Sequence, residues 1–361
     1  MDLDVVTADP SVKWEVIDDT YRRFETSNDC GIQFDRALDQ KKGRAVDKSI
    51  ELTNIHHIRR AKHFIYIESQ YFLGSSHMWR DKNDRKVKCN NLIAAELTYK
   101  ICDKIINGEP FACYILLPMW CEGLPDGGPN QEILFWQWST INAMYLKVQD
   151  AIDRRCTMTS DHGLKISDYL NFYCLGNRET PDEGSTLAAP TTDDEILLSK
   201  TRRHQIYIHS KFMIVDDEVA LIGTANINQR SMDGCRDTEI MMTSWHPDHL
   251  ATEESIPKGD IHGYRMHIWA SITNEMHDSF RDPKSSECVR KMNEIAESNW
   301  QKYIGDEVVE MESHLLPLPV EFFGKDKGVL ARRDLKNGVF TDTSAEVKGN
   351  KSLMLPDIIL T

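Results

Sequence analysis

A histidine, a lysine and an aspartate occur in the spacing H-x-K-x-x-x-x-D at His209, Lys211 and Asp216. Around them, residues 205–222 alternate between apolar and polar types and then form an apolar run that acidic residues interrupt, which predicts a β-hairpin. Because residues two apart on a strand share a face, His209 and Lys211 are expected to project into one site. An imidazole can attack phosphorus while an ammonium neutralises a non-bridging oxygen, so the pattern indicates phosphoryl transfer. Asp216 completes this candidate catalytic motif at the predicted turn, where an acceptor can hold Lys211 or the turn itself.

Two residues downstream of the motif have side chains that suit the same site. Asn226 is an amide donor for a second phosphoryl oxygen, and Glu239 lies on a predicted strand, 238–242. A carboxylate there can bond the far ring nitrogen of His209 and so fix the imidazole tautomer. The alternative is that His209 and Lys211 are ordinary strand residues and that Asn226 forms a turn. The triplet alone leaves both interpretations open, whereas the whole set favours a site.

An upstream segment provides a further candidate, Gln70. Residues 64–68 form an apolar-rich predicted strand that follows a predicted helix, about residues 50–62. Polar residues follow the carboxyl end of this strand, and open α/β sheets bind their ligands at this end. Gln70 is therefore expected to contact the phosphate or headgroup of a substrate, while Tyr71 and Phe72 are expected to pack in the core.

These motifs resemble a known family. Residues 206–218 and 223–240 are similar to the second catalytic motif, the HKD motif, of the phospholipase D superfamily, most closely to the plant-type enzymes. Residues 49–76 resemble the segment between the two motifs of that family, and residues 299–361 resemble its C-terminal region. The resemblance covers the chain from about residue 46 to the end.

The resemblance implies an α/β fold in which helices flank a mixed β-sheet, present only in part and followed by an irregular C-terminal extension. It implies three regions: a poorly patterned N-terminal segment, a catalytic domain with the second HKD motif, and the C-terminal region of the family. Their expected ranges are 1–45, 46–285 and 286–361.

The resemblance also implies an activity, phospholipase D. Such an enzyme hydrolyses phosphatidylcholine and related glycerophospholipids to phosphatidic acid and the headgroup alcohol through a phosphohistidine intermediate. Family members carry two HKD motifs, each supplying one histidine, yet no second H-x-K-x-x-x-x-D occurs in this sequence. By its motifs the chain corresponds to the C-terminal half of such an enzyme. Either a homodimer or a separate N-terminal half would complete the site. The alternative is an inactive fragment that binds lipid or a partner subunit.

Two positions depart from the family pattern. The family has asparagine where this chain has Ser69, and it has a glutamate associated with calcium near the position of Ser271. None of the nine cysteines has C-x-x-C spacing, so the residues themselves predict no metal site. Calcium (Ca²⁺) is therefore expected from the resemblance alone.

Composition restricts the class of substrate and the compartment. With a net charge of -14, the chain lacks the basic field that favours nucleic-acid binding, so a nucleic-acid partner is not expected. The longest apolar stretch, residues 111–121, contains a proline and is too short to span a bilayer. The first ten residues show no basic and apolar leader. Together these features predict a cytoplasmic protein that associates peripherally with phospholipid membranes.

Overall fold

The computed structural model of the protein describes residues 31–40, 45–160, 162–181, 190–245 and 259–351, with the backbone alone for 31–40 and 45. The strands of the described part are β1 (Gly31–Gln40), β2 (Ala45–Lys48), β3 (Phe64–Glu68), β4 (Ala112–Leu116), β5 (Leu170–Arg178), β6 (Arg203–Ile206), β7 (Phe212–Val215), β8 (Val219–Gly223), β9 (Glu239–Trp245), β10 (Leu315–Pro317), β11 (Val320–Phe322) and β12 (Val329–Ala331). The α-helices are α1 (Ser49–Arg60), α2 (Ile93–Asn107), α3 (Gly128–Thr159), α4 (Asp193–Thr201), α5 (Gln229–Met232), α6 (Asp260–Thr273) and α7 (Ser286–Ile304).

One mixed sheet organises the molecule, with strand order β10-β5-β4-β3-β7-β8-β9-β1-β2 and β6 paired to β5. Its centre, β3 to β5, is parallel, and the strands from β7 to β2 are antiparallel to their neighbours. Every residue of β3 and β4 is buried, as expected for parallel strands covered on both faces. Helices α1 to α3 cover one face, and α6 and α7 cover the other. The predicted mixed α/β fold is confirmed.

Local sequence signals explain where several helices begin and end. Helix α2 ends at Gly108, whose φ of 70° is the left-handed conformation that glycine adopts without strain. Helix α3 has a proline in its first turn, where the missing N–H costs no hydrogen bond. The hydroxyl of Ser285 accepts a hydrogen bond from the Cys288 N–H and caps α7.

The predicted hairpin over residues 205–222 is correct only in its second half. Strand β6 pairs with β5, whereas β7 pairs with β3 and β8, so the chain crosses between two parts of the sheet through residues 207–211. His209 and Lys211 therefore lie on an extended connection and not on a strand. The turn between β7 and β8 is where the sequence placed it, since Asp216 and Asp217 both have positive φ, 56° and 57°. Two consecutive residues of this kind form the type I′ turn typical of tight hairpins.

Other regions also differ from expectation. The poorly patterned segment before residue 46 contributes β1 to the sheet, and the tail expected to be irregular contributes β10, β11 and β12. Because β10 pairs with β5, elements on both sides of residue 285 share one sheet, and the division there stays a prediction. No helix within the described ranges is long and apolar enough to cross a membrane.

A buried ion pair holds the β7–β8 turn. Asp217 accepts hydrogen bonds from Arg265 Nε at 2.6 Å and Arg265 Nη2 at 2.7 Å, and His262 Nδ1 lies 2.7 Å from the same carboxylate. Both members of the ion pair are almost completely buried. Burial raises the pKa of Asp217, but Arg265 and His262 outweigh it and the pKa lies below its usual value.

We expect Asp217→Asn to lower the free energy of unfolding by about 3 kcal/mol near pH 7, because it leaves Arg265 as an unpaired buried charge. The carboxylate pKa is depressed in the folded state, so its contribution is complete above the unfolded pKa of about 3.9 and disappears as pH falls. Urea titrations from about pH 7 down to about pH 3 should show wild type and variant converging. Asp237→Asn is the matched control, since Asp237 pairs with Arg230 at a partly exposed position. A constant difference at all pH values would contradict this account.

Candidate active site

The candidate site forms where β3 ends and β7 begins. These strands are antiparallel, with Glu68 paired to Phe212, so the residues after β3 lie beside those before β7. Ser69 and Gln70 continue from β3, and Lys211 directly precedes β7. The register of one strand pair therefore brings together two segments that are about 140 residues apart in sequence.

Gln70 connects two of the three other residues predicted for substrate binding, Lys211 and Asn226. Its Oε1 accepts hydrogen bonds from Lys211 Nζ at 3.1 Å and from Asn226 Nδ2 at 3.3 Å. Gln70 and Asn226 are 7% and 9% exposed, so both amides are held in fixed surroundings. Partial burial lowers the pKa of Lys211, and the negative charge of Glu239 opposes this effect. The structure thus brings Gln70, Lys211 and Asn226 into one cluster.

Backbone pairing explains how Asn226 reaches this cluster. Ile227 forms a parallel bridge with Phe72, and its carbonyl accepts a hydrogen bond from the Leu73 N–H at 2.8 Å. The Ser69 hydroxyl accepts from the Ile227 N–H at 3.2 Å and donates to the Tyr71 carbonyl at 2.6 Å. The serine that replaces the asparagine of the family is therefore part of the hydrogen bonding that positions Asn226.

His209 is exposed beside this cluster. Its backbone carbonyl accepts a hydrogen bond from Lys211 Nζ, which links the two residues of the motif. Its imidazole lies next to the ring of Tyr207, with centroids 6.4 Å apart and an angle of 32° between the ring planes. The motif thus has an exposed histidine beside a partly buried lysine and two buried amides.

Glu239 has a different partner from the one predicted. It begins β9 and accepts a hydrogen bond from the Thr224 hydroxyl. Within the described ranges no hydrogen bond joins Glu239 to the imidazole of His209. The role of Glu239 in fixing the tautomer stays a prediction.

Asp216 lies at the other end of β7 from Lys211. Its carboxylate accepts three backbone hydrogen bonds, from the N–H groups of Lys62 at 2.6 Å, His63 at 2.8 Å and Phe64 at 2.8 Å. The four residues of β7, at roughly 3.3 Å each, separate it from Lys211, so it does not hold that side chain. It holds the β7–β8 turn against the start of β3. Of the two roles expected for Asp216, holding Lys211 or holding the turn, the structure supports the second.

Tyr207 and Glu68 also border the cluster, and neither was among the residues predicted from the sequence. Tyr207 Oη accepts hydrogen bonds from Gln70 Nε2 and from the Glu122 N–H, both at 3.0 Å. Its place two residues before His209 was the available signal. Glu68 is buried and accepts hydrogen bonds from the hydroxyls of Ser210 and Tyr66; burial raises its pKa and these donors oppose the shift. A charged residue ending an apolar strand was the signal there.

The described residues do not fit a calcium site. No group of three or more histidine, cysteine, aspartate or glutamate side chains in this part of the chain is placed to hold a metal ion. At the position where the family has its calcium-associated glutamate, the Ser271 hydroxyl donates to the Ile268 carbonyl at 2.7 Å.

Comparison with known proteins decides the family. The sequence model of the family Phospholipase D matches residues 15–349. The chain belongs to the phospholipase D family. The match begins earlier than the residue 46 expected from the motifs, so residues before β2 are also part of the phospholipase D sequence.

Curated plant relatives agree with this assignment. The chain is 46% identical over 287 residues to phospholipase D beta 1 of Arabidopsis thaliana, covering 78% of this chain and 26% of that protein. It is 43% identical over 328 residues to phospholipase D alpha 1 of Zea mays, covering 89% of this chain and 39% of that protein. It is 43% identical over 330 residues to phospholipase D delta of Arabidopsis thaliana, covering 90% and 36%. The chain thus spans less than half the length of these relatives.

The structural assignment of Asp216 leads to a stability prediction. Asp216→Ala should lower the free energy of unfolding by about 3 kcal/mol, because three backbone N–H groups lose their acceptor. Asp216→Asn keeps one acceptor oxygen and should lose less. Urea unfolding followed by circular dichroism measures both. Unchanged stability of Asp216→Ala would show that these hydrogen bonds do not hold the turn.

Proposed function

We propose that this chain forms one side of a phospholipase D active site and supplies one of its two histidines, His209. The observation that carries the proposal is the convergence of Lys211, Asn226 and Gln70 beside the exposed His209. Lys211 and Asn226 present N–H donors to non-bridging phosphoryl oxygens, and Gln70 holds both in place. Donors fixed before the reaction stabilise developing negative charge without reorganising, which is the larger part of catalysis in sites of this kind.

The proposed reaction needs two imidazoles. The first attacks phosphorus, so an N–P bond forms while the bond from phosphorus to the headgroup oxygen breaks. The second protonates that oxygen as it leaves and then takes a proton from water, which displaces the first imidazole and yields phosphatidic acid. His209 can fill either role. Catalytic His209 and Lys211, substrate-binding Gln70 and Asn226, and Glu239 as the orienting carboxylate are all assignments of this proposal, and Asp216 supports them structurally.

The 361 residues contain one HKD motif, so the second imidazole of this reaction comes from outside them. A homodimer can bring two copies of His209 together about a two-fold axis, and a separate N-terminal half can supply the other motif. In both arrangements the phosphoryl group lies between two HKD motifs.

A glycerophospholipid is the substrate class that the surface favours. The net charge of -14 disfavours nucleic acid, whereas a lipid phosphate can be met locally by Lys211. Several large apolar side chains are exposed: Leu124 at 73%, Ile196 at 49% and Leu198 at 53%. Exposed apolar groups of this kind can enter the interfacial region of a bilayer, which supports peripheral attachment to membranes.

The test is phosphatidic acid formation from vesicles of phosphatidylcholine and anionic lipid, by the purified chain alone and mixed with a separately expressed N-terminal half of a relative. We expect phosphatidic acid in at least one of these conditions. His209→Ala should lower that rate by at least about a hundredfold, because an imidazole of the reaction is lost.

His204→Ala is the matched control, since His204 is an exposed histidine on β6. It should leave the rate unchanged. Activity of the chain alone would indicate a homodimeric site, and activity only with the added half would indicate a heteromeric one. No product in either condition would favour the alternative, an inactive chain that binds lipid or a partner subunit.

A further inference from the structure

The hydrogen bonds of Gln70 fix which atom of its amide faces Tyr207. Lys211 Nζ carries only donors, so the Gln70 atom that it contacts at 3.1 Å must be the amide oxygen. Asn226 Nδ2 donates to the same oxygen at 3.3 Å. The Gln70 amide nitrogen therefore faces Tyr207 Oη, to which it donates at 3.0 Å.

Tyr207 Oη consequently accepts two hydrogen bonds from groups that can only donate. One donor is Gln70 Nε2, and the other is the backbone N–H of Glu122, at 3.0 Å. A phenol oxygen with two donors on its lone pairs must direct its own proton elsewhere. Within the described ranges no group accepts a hydrogen bond from Tyr207. Its O–H proton is therefore available to a ligand.

The ring of Tyr207 places this proton at the candidate site. The ring centroid is 6.4 Å from that of His209, and the phenol oxygen bonds the same amide that holds Lys211 and Asn226. Tyr207 is only partly buried, so part of this residue is accessible from solvent. The Tyr207 phenol, the Lys211 ammonium and the Asn226 amide thus all bond one side chain, Gln70, and the Tyr207 ring lies beside the imidazole.

We propose that Tyr207 is a further substrate-binding residue of this site, which donates its O–H to a non-bridging oxygen of the substrate phosphoryl group. This inference rests on the proposed function, because it assumes that the site binds a phosphoryl group. The proposed donor set is Tyr207, Lys211 and Asn226, with Gln70 as the residue that positions all three.

The first experiment measures the affinity of the full chain for inorganic phosphate by isothermal titration calorimetry. Tyr207→Phe should weaken phosphate binding by about tenfold or more, because a hydrogen bond to a charged oxygen is lost. Lys211→Ala should weaken it further. Tyr173→Phe is the matched control, since the Tyr173 hydroxyl also forms a hydrogen bond, to Asn293 Oδ1 at 2.9 Å, but on the face of β5 covered by α7. It should leave phosphate affinity unchanged.

A second variant separates donation from a structural role. Replacing Tyr207 with 3-fluorotyrosine makes the phenol a stronger donor and its oxygen a weaker acceptor from Gln70 and Glu122. If the phenol donates to phosphate, affinity should rise or hold, whereas a residue that only positions Gln70 should lose affinity. Lower affinity with the fluorinated residue, or an unchanged affinity in Tyr207→Phe, would overturn this inference while leaving the proposed function intact. Absence of phosphate binding by the wild-type chain would contradict both.

Discussion

The pairing of β3 with β7 is the constraint on which the candidate site depends. It sets Glu68 opposite Phe212, and only in this register does Lys211 reach Gln70. Side chains alternate between the faces of a sheet, so a slip of one residue would turn Lys211 away from the cluster. The register is held at the far end by Asp216, which accepts three backbone hydrogen bonds from residues 62–64. Asp216 therefore fixes the position of Lys211 indirectly, by holding the opposite end of β7.

The cluster is polar in a largely buried setting, so its side chains depend on one another for hydrogen bonds. Burying an amide without partners costs free energy, and Gln70 avoids that cost by bonding three side chains. Removing Tyr207 would leave the Gln70 amide nitrogen without its acceptor, whereas the amide oxygen keeps one donor if either Lys211 or Asn226 is removed. A site whose groups are already fixed loses little entropy when a phosphoryl group binds.

The sequence predicted the elements whose pattern is local. Strand β3 and helix α1 were placed to within two residues, because β3 is a continuous apolar run and α1 shows a helical period. Residue type and spacing also pointed to Gln70, Lys211 and Asn226, which the structure brings together, while their roles stay predictions. The break between β6 and β7 was missed, because an apolar run does not show which neighbouring strand each half will pair with. Strand pairing over long sequence distances also decides that Glu239 meets Thr224, and that Tyr207 meets Gln70.

The central claim is that His209 and the cluster around Gln70 together bind a phosphoryl group on one side of the active site. The most direct test is nuclear magnetic resonance of the chain labelled with ¹⁵N-histidine, titrated with inorganic phosphate and assigned with His209→Asn. The account predicts that the His209 signals shift with phosphate and that Lys211→Ala removes the shift. Phosphate shifts confined to other histidines, or a His209 shift that persists in Lys211→Ala, would contradict it.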